Sequence, residues 1–172
     1  MGHGAWVSHV PRPTSHAPDT IMSLPTHLDL EIVTPDRAVA HEEVDEVQLP
    51  GIEGNLGILP GHTPLLTLLR VGPAWYRKGS DVVMLAIANG IAEVLPTKVR
   101  LLAQVAERGD EIDLERAEIA RKRAEERLQE ARTGVSDIDM ERARMSLIKA
   151  MTRINVATKI HVSERGKRRE RS

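Results

Sequence analysis

A change of hydrophobic period near residue 108 constrains the fold of this chain more than any other feature. Before that point apolar and polar residues alternate, as at Leu28, Leu30 and Ile32, which is the pattern of a half-buried β-strand. After Glu107–Asp110 apolar residues recur at steps of three and four from Ala117 onward, which is the pattern of an amphipathic helix. The chain therefore predicts an α+β protein, with a strand domain followed by a helical domain.

The strand domain, residues 24–108, contains many short strand candidates and no helical pattern between them. The candidates are the segment from Leu28, Val44–Leu49, Leu65–Val71, Ala74–Arg77, Val82–Ala88, Ile91–Leu95 and Val99–Val105. Turn residues separate several of them at Lys78–Asp81 and Pro96–Lys98. Asn89–Gly90 predicts a type I′ hairpin because both residues tolerate positive φ. Such a series favours an antiparallel sandwich or barrel over a parallel α/β sheet.

The helical domain contains two helix patterns, which predict an antiparallel two-helix hairpin. Asp113 is a candidate N-cap for the first helix, and Ile112 and Ala117 can form a hydrophobic staple around it. The first helix is expected to end at Thr133–Gly134, and the second is expected to begin at Asp139. The apolar stripe of the first helix consists of Ala117, Ala120, Ala124, Leu128 and Ala131, and that of the second of Met140, Ala143, Leu147, Ala150 or Met151, and Ile154.

The stripe of the first helix is made of small side chains, since four of its five members are alanine. Burial of one alanine methyl group contributes only about 0.8 kcal/mol, so the hairpin is expected to close weakly. Small side chains also let the same surface pack against a different neighbour at little cost in free energy. The pattern indicates a mobile element, although a static alanine-rich hairpin would have the same sequence.

The composition argues against several classes of function. A formal net charge of −1 and an aromatic content of 2% argue against nucleic-acid binding, which normally needs a basic surplus and stacking aromatic residues. The sequence has no cysteine and therefore no disulfide, thiolate metal site or cysteine nucleophile, as is common in a reducing cytoplasm. No apolar run approaches the roughly 20 residues that span a bilayer, so membrane association is expected only through a partner.

The two ends of the chain lack the patterning of a folded domain. Residues 1–23 are rich in proline, histidine and serine and lack the basic start and apolar core of a signal peptide. They are expected to be a disordered leader or an over-extended translation start, with Met22 as the alternative first residue. Residues 162–172 are expected to be a basic, disordered tail, which leaves residues 109–161 for the helical hairpin.

No catalytic or metal-binding motif is recognisable in the sequence. The glycine-rich run Gly51–Gly57 leads into Pro60 and Pro64, and prolines oppose the helix that a phosphate-binding loop must open. There is no Gly-x-Ser-x-Gly elbow, and the histidines do not have metal-ligand spacing. We interpret His62, which lies between glycine and threonine, as a structural or contact residue. These observations indicate a chain that binds partners and is not an enzyme on its own.

Three separate stretches of the sequence carry a family resemblance. They are Leu56–Leu65 (LGILPGHTPL), Asn89–Val94 (NGIAEV), and Leu102–Glu107 (LAQVAE), the last of which precedes the two helix patterns. In order and content they resemble the epsilon subunit of F-type ATP synthase, over about residues 24–161. The resemblance implies a sandwich of about ten antiparallel strands at the foot of the central stalk, with no catalytic site and no required cofactor.

The resemblance also implies partners and a location. The subunit would contact the gamma subunit and the ring of c subunits, and it would couple proton-driven rotation to ATP synthesis. It would lie on the cytoplasmic face of the energy-transducing plasma membrane as a peripheral component. The loop that holds Gly61 and His62 would face the ring, and Asn55 stands where many members have an acidic residue.

The hairpin of such a subunit can extend along gamma into the alpha/beta catalytic hexamer. Its basic second helix would then meet acidic segments of the beta subunit and inhibit ATP hydrolysis. The residues that would supply these contacts are Arg142, Arg144, Lys149, Arg153 and Lys159. Each of them is also compatible with a solvated helix face.

A regulatory nucleotide is implied as well. Some bacterial members bind ATP, with or without Mg²⁺, at the folded hairpin through an Ile/Leu-Asp-x-x-Arg-Ala motif, which Ile112–Ala117 matches at each defined position. The site would consist of Glu107, Ile112, Asp113, Arg116, Ala117, Arg123, Lys149 and Arg153. Lys149 replaces an arginine of well-known binders and lacks the bidentate fork. As an alternative, the motif is only a favourable helix start, since Ile138–Ala143 nearly repeats it and poor ATP binders also have it.

Overall fold

The computed structural model describes residues 25–133 and 140–169, without the side chains of residues 133 and 161–169. The expected leader at residues 1–23, the helix end at Gly134 and the helix start at Asp139 lie outside the described residues. The elements in chain order are β1 (Leu28–Val33), β2 (Ala38–Val44), β3 (Glu46–Gly51), β4 (Gly54–Ile58), β5 (Leu65–Leu69), β6 (Gly72–Lys78), β7 (Asp81–Leu95), β8 (Lys98–Arg108), a 3₁₀ turn (Gly109–Glu111), α1 (Leu114–Thr133) and α2 (Met140–Arg169).

The described strands pair in the order β2-β1-β8-β7-β5-β3-β4, and β6 pairs with both β3 and β7. The described part has eight strands, where about ten are expected. The candidates Val82–Ala88 and Ile91–Leu95 form one continuous strand, because β7 spans 15 residues. The pairing is antiparallel except between β1 and β8, which are parallel. β1 and β8 are far apart in the sequence, so no local sequence pattern shows whether they pair in parallel or antiparallel.

Two strands are absent from the sequence-based prediction, and both have unfavourable composition. β2 contains charged residues at Glu42 and Glu43, and β4 contains Gly54 and Gly57. Such residues are depleted in strands because they pack poorly on a pleated surface. The two segments become strands through their neighbours, since β2 pairs with β1 along its whole length and β4 pairs with β3.

The prediction of a hairpin at Asn89–Gly90 is wrong, because both residues lie inside the continuous strand β7. On one side β6 pairs with β7 as far as Ile87, and β5 takes over from Gly90, while β8 pairs with β7 on both sides of this point. Asn89 has φ of 53° and Gly90 has φ of 157°. The positive φ values of these two residues therefore produce a kink in β7, and at this kink the paired strand changes from β6 to β5. The turns at Lys78–Asp81 and Pro96–Lys98 do join adjacent strands, as expected.

The hydrophobic core is formed by side chains of the strands. Its composition confirms that alternate residues of the first strand are buried. Leu28, Leu30 and Ile32 are fully buried, whereas the residues between them are half-exposed. Every member of the core cluster lies between Leu28 and Ala106. The sandwich therefore has its own core, which uses no side chain of the helices.

The helices close on each other through the small residues that the sequence indicates. The backbone N–H of Arg116 donates to Asp113 Oδ1 at 3.0 Å, so Asp113 caps α1. Among the alternatives for α2, Ala150 faces the seam and Met151 is exposed. The buried positions of the two helices include Ala117, Ala124, Ala143, Ala150, Val156 and Ala157. The second helix continues to Arg169, into the segment that is expected to be a disordered tail.

The hairpin is folded against the sandwich, and α2 makes the contact. A Cβ atom at Gly109 would lie 2.2 Å from Ile160 Cδ1 and 2.8 Å from Val156 Cγ1, so α2 approaches the 3₁₀ turn closely. Further along the interface, Thr152 of α2 lines a small gap together with Ala86 and Ala88 of β7. Among the described residues, no helix combines the length and the apolar character needed to span a bilayer.

Candidate functional site

A cleft of about 340 Å³ opens where the end of β8, the start of α1 and the middle of α2 meet. Its lining residues are Glu107, Glu111, Ile112, Asp113, Arg116, Ala117, Ala120 and Arg153. Six of the eight residues that the sequence assigns to a nucleotide site are among them, namely Glu107, Ile112, Asp113, Arg116, Ala117 and Arg153. The fold thus brings one end of the helix-start motif together with residues from two distant parts of the chain.

An ion pair crosses the cleft from α2 to the sandwich. The Nε–H and Nη2–H groups of Arg153 donate to the two carboxylate oxygens of Glu107 at 2.6 and 2.7 Å. This hydrogen bonding raises the pKa of the Arg153 guanidinium, which therefore stays charged. Bidentate, charge-assisted pairs of this kind are stronger and more directional than single hydrogen bonds.

The other charged residues of the cleft have defined local roles. Asp113 caps α1 by accepting a hydrogen bond from the backbone N–H of Arg116. The side chain of Arg116 is exposed at the rim of the cleft. Glu111 is paired with Arg37, which reaches it from the turn after β1. Neither Arg37 nor Glu111 is expected from the sequence to belong to the site. The signal for Glu111 is its position directly before the Ile112 motif, but nothing local points to Arg37.

Two residues that the sequence assigns to the nucleotide site lie outside the cleft. Arg123 is exposed two helical turns along α1 from Arg116, about 10 Å away at the rise of an α-helix. Lys149 lies one turn before Arg153 on α2 and is half-buried over Val71 and Val105 of the sandwich. Helical periodicity places both on suitable faces, but the cleft ends before either one.

Carboxylates outnumber guanidinium groups in the cleft. Glu107, Glu111 and Asp113 supply three acidic groups, whereas Arg116 and Arg153 supply two basic ones. Among the described residues, no three histidine or acidic side chains are arranged to hold a metal ion. A polyanion entering the cleft would therefore rely on Arg116, displace the carboxylate of Glu107 from Arg153, or bring its own counter-ion.

The loop assigned to a ring of partner subunits is fixed at the end of the sandwich. Gly61 has φ of 83°, and its N–H donates to the carbonyl of Pro96 in the β7–β8 turn at 2.7 Å. His62 Nδ1 lies 2.7 Å from the carbonyl of Thr63. The loop thus presents a defined shape. Asn55, at the position where an acid is common, accepts a hydrogen bond from Arg70 Nη2 at 3.3 Å.

The basic residues assigned to contacts with the hexamer fall into two groups on α2. Arg142, Arg144 and Lys159 are exposed, whereas Lys149 and Arg153 are half-buried against the sandwich. The second group is therefore covered as long as the hairpin is folded.

An exposed apolar row crosses three strands and is not predicted from the sequence. Leu68, Ile91 and Leu102 lie side by side on β5, β7 and β8 and are 53%, 42% and 54% exposed. They share the sheet face with a neighbouring charged row in which Arg100 bonds to Glu31 at 2.9 Å and to Glu93 at 3.3 Å. Contiguous exposed apolar residues rimmed by charges typically mark a protein contact. In the sequence, these residues are indistinguishable from core residues.

Comparison with protein families gives two matches that divide the chain where its hydrophobic period changes. The β-sandwich domain of the ATP synthase delta/epsilon chain matches residues 27–109. The long α-helix domain of the same chain matches residues 110–158.

Individual proteins are similar over most of their length. The ATP synthase epsilon chain 2 of Syntrophotalea carbinolica is 50% identical over 130 residues, which are 76% of this chain and 93% of the relative. The ATP synthase epsilon chain of Halalkalibacterium halodurans is 46% identical over 134 residues, 78% and 98% of the two chains. The cryo-EM structure of the Euglena gracilis mitochondrial ATP synthase, OSCP/F1/c-ring, contains a chain with a TM-score of 0.66 at 21% identity, covering 75% of this chain and 80% of that one. This last likeness concerns the fold.

Proposed function

Since the chain belongs to the epsilon chain family of ATP synthases, we propose that it is a non-catalytic subunit of the central stalk that couples rotation to ATP synthesis. Its mobile hairpin inhibits ATP hydrolysis. The sandwich binds the gamma subunit and the ring of c subunits, and the hairpin reaches the alpha/beta hexamer. The subunit is peripheral to the membrane, which it meets only through the complex, on the cytoplasmic face.

The observation that carries this proposal is the unequal attachment of the two parts. The sandwich is closed around a core of its own, whose members all lie between Leu28 and Ala106, and α2 docks on it around Thr152 and Val156. The helices can therefore leave the sandwich without removing any of its core residues. The two helices meet each other through small side chains such as Ala117 and Ala124, each of which contributes only about 0.8 kcal/mol.

When the helices leave the sandwich, Lys149 and Arg153 become available to an acidic partner together with Arg142 and Arg144. Folding the hairpin therefore partly covers two of the five basic residues that are assigned to this contact.

We assign the binding site for the gamma subunit to the exposed apolar row of Leu68, Ile91 and Leu102. A substitution in this row therefore tests the coupling role. Leu102→Glu is expected to weaken binding to gamma at least about tenfold, since it buries an unpaired charge in the contact. Titration of the purified chain with gamma measures the effect. Val82→Glu is the matched control. Val82 is similarly exposed, at 52%, but it lies in β7 beside the Lys78–Asp81 turn and outside the apolar row. Equal affinity of both variants and the wild type would remove gamma from this surface.

The cleft supports a second function of the same hairpin, which is sensing of ATP. The cleft joins residues of the sandwich with residues of both helices. A ligand that contacts all of them stabilises the folded hairpin and disfavours the extended one. ATP would then relieve inhibition when the nucleotide is abundant, and the inhibited state would form when it is scarce.

Calorimetric titration of the full chain with ATP, with and without Mg²⁺, tests this function. Binding is expected, and Arg116→Ala should weaken it at least about tenfold because a charge-assisted contact to phosphate is lost. Arg127→Ala is the control, since Arg127 is exposed about 16 Å further along the same helix face. At Asp113 the useful variant is Asn, which retains the helix cap. Absence of binding at millimolar ATP would remove the sensing function and leave the coupling and inhibitory functions, which do not depend on it.

A further inference from the structure

Gly109 lies where α2 meets the sandwich, in the 3₁₀ turn that connects the two parts of the chain. It is buried, and the atoms across the interface belong to Val156 and Ile160 of α2. A Cβ atom at Gly109 would lie 2.8 Å from Val156 Cγ1 and 2.2 Å from Ile160 Cδ1, closer than side chains pack in proteins. The φ of Gly109 is not positive, so alanine can adopt the same backbone conformation. The packing of α2, and not the shape of the turn, therefore excludes a side chain here.

The turn cannot move aside to make room, because it is attached to the sandwich on both sides of Gly109. Directly before it, Arg108 is the last residue of β8 and is paired with Leu85 of β7. Shortly after it, Glu111 is paired with Arg37 of the sandwich. An exposed ion pair is weak by itself, so the pairing of the two strands supplies most of the constraint. The turn therefore belongs to the sandwich and not to the hairpin.

The side chains of α2 that face Gly109 are restricted as well. Val156 and Ile160 are both β-branched, and a helix leaves such residues one strongly preferred χ1 rotamer. Val156 is fully buried, so its Cγ1 atom has no room to rotate away. Cδ1 of Ile160 can still move by rotation about χ2. A methyl group on residue 109 is therefore accommodated only if α2 moves away from the turn.

We propose that Gly109 is a docking notch, a position without a side chain that allows α2 to pack on the sandwich. This inference rests on the mobile hairpin proposed above and states what sets the balance between its two positions. When the helices leave the sandwich, Val156 and Ile160 leave with them, so a methyl group on residue 109 then meets neither. A side chain at this position raises the free energy of the docked state alone, and the equilibrium shifts by that difference.

A thiol under α2 measures docking directly. The chain has no cysteine, and Thr152, which is 9% exposed, lines the interface with β7. In the full chain with Thr152→Cys, a maleimide reagent reaches the thiol only when α2 is away from the sandwich, so the labelling rate follows the undocked fraction. Adding Gly109→Ala is expected to raise this rate about tenfold or more, because it overpacks a close interface.

Three controls separate undocking from other effects. Gly57→Ala adds a methyl group that meets nothing within 4 Å and should leave the labelling of Thr152→Cys unchanged. Ser146→Cys places a thiol on the exposed face of α2, and its fast labelling should be the same with and without Gly109→Ala. Val94→Cys places a thiol in the core of the sandwich, where labelling should stay slow in both cases.

A compensating substitution tests the contact itself. Val156→Ala removes the methyl group that cannot rotate away, and by itself it loosens the docked helix. In this background Gly109→Ala should raise the labelling rate much less than in the native background, since the new methyl group occupies the vacated space. Residues that touch show such non-additivity, and residues without contact do not.

The proposal is overturned if Gly109→Ala leaves Thr152→Cys labelled at the original rate. It is also overturned if Val94→Cys is labelled faster, because Gly109 then supports the whole fold, or if Val156→Ala leaves the effect of Gly109→Ala undiminished. The inhibitory role of the hairpin is decided separately, by ATP hydrolysis of the reassembled ATP synthase, which Gly109→Ala should lower. Faster labelling with unchanged hydrolysis would keep the docking notch and remove the inhibitory role.

Discussion

Replacement of Gly90 by valine is expected to destabilise the sandwich strongly. A Cβ atom at this position would lie 2.4 Å from the carbonyl oxygen of Leu102 and 2.8 Å from Cα of Ala103. Both are backbone atoms of β8, which is paired along β7 on both sides of the kink and cannot move aside. Steric overlap and the positive φ of 157° together should cost about 3 kcal/mol or more, a large share of the stability of a small domain.

Urea unfolding of the full chain, followed by circular dichroism, measures this effect. Gly57→Ala is the matched control, since Gly57 is also in a strand but an added Cβ atom would meet nothing within 4 Å. Its unfolding free energy should change by less than about 1 kcal/mol. If Gly90→Val unfolds at the same urea concentration as the control, β7 does not pass β8 as closely as the structure has it.

The local parts of this fold follow from the sequence. Alternation at Leu28, Leu30 and Ile32 predicts a half-buried strand because side chains of a strand point alternately to two faces. The Asp113 cap and the alanine stripe of α1 follow from helix geometry in the same way. Each of these features depends on residues a few positions apart, so a short window of sequence contains the whole signal.

Features that depend on distant partners do not follow from the sequence. Asn89–Gly90 has the composition of a hairpin, but the pairing of β7 with β5, β6 and β8 uses the same backbone freedom for a kink. Leu68, Ile91 and Leu102 have the composition of a core, and only the sheet order shows that they lie on an outer face. Local propensity is the same in both arrangements, and tertiary pairing decides between them.

The candidate site shows the same division. The Ile112–Ala117 motif places its members on the first turn of α1, and the structure has them together in the cleft. The Glu107–Arg153 pair and the Arg37–Glu111 pair join residues 46 and 74 positions apart. Their geometry arises from the docking of α2 and from the turn after β1, which no local pattern specifies. Arg123 and Lys149 lie outside the lining of the cleft, and their assignment to a nucleotide site stays a prediction.

Deletion of residues 113–172 is expected to raise ATP hydrolysis by the reassembled ATP synthase several-fold and to leave binding to gamma unchanged. The deletion removes the basic residues of α2 that are proposed to meet the hexamer, including Arg142 and Arg144. It retains every core residue between Leu28 and Ala106 and the apolar row assigned to gamma. Hydrolysis by the complex and co-purification of the truncated chain with gamma measure the two effects.

The deletion also exposes the face of β7 that α2 covers, so a second variant separates loss of inhibition from damage to the sandwich. Arg142→Gln combined with Arg144→Gln keeps the helices and the docked interface, because both side chains lie on the exposed face of α2. This variant should raise hydrolysis in the same direction but less, since Lys149 and Arg153 remain. Increased hydrolysis in both variants, with gamma still bound, is the result expected of an inhibitory hairpin. If neither variant changes hydrolysis, the hairpin does not inhibit, and only the coupling role of the sandwich is left.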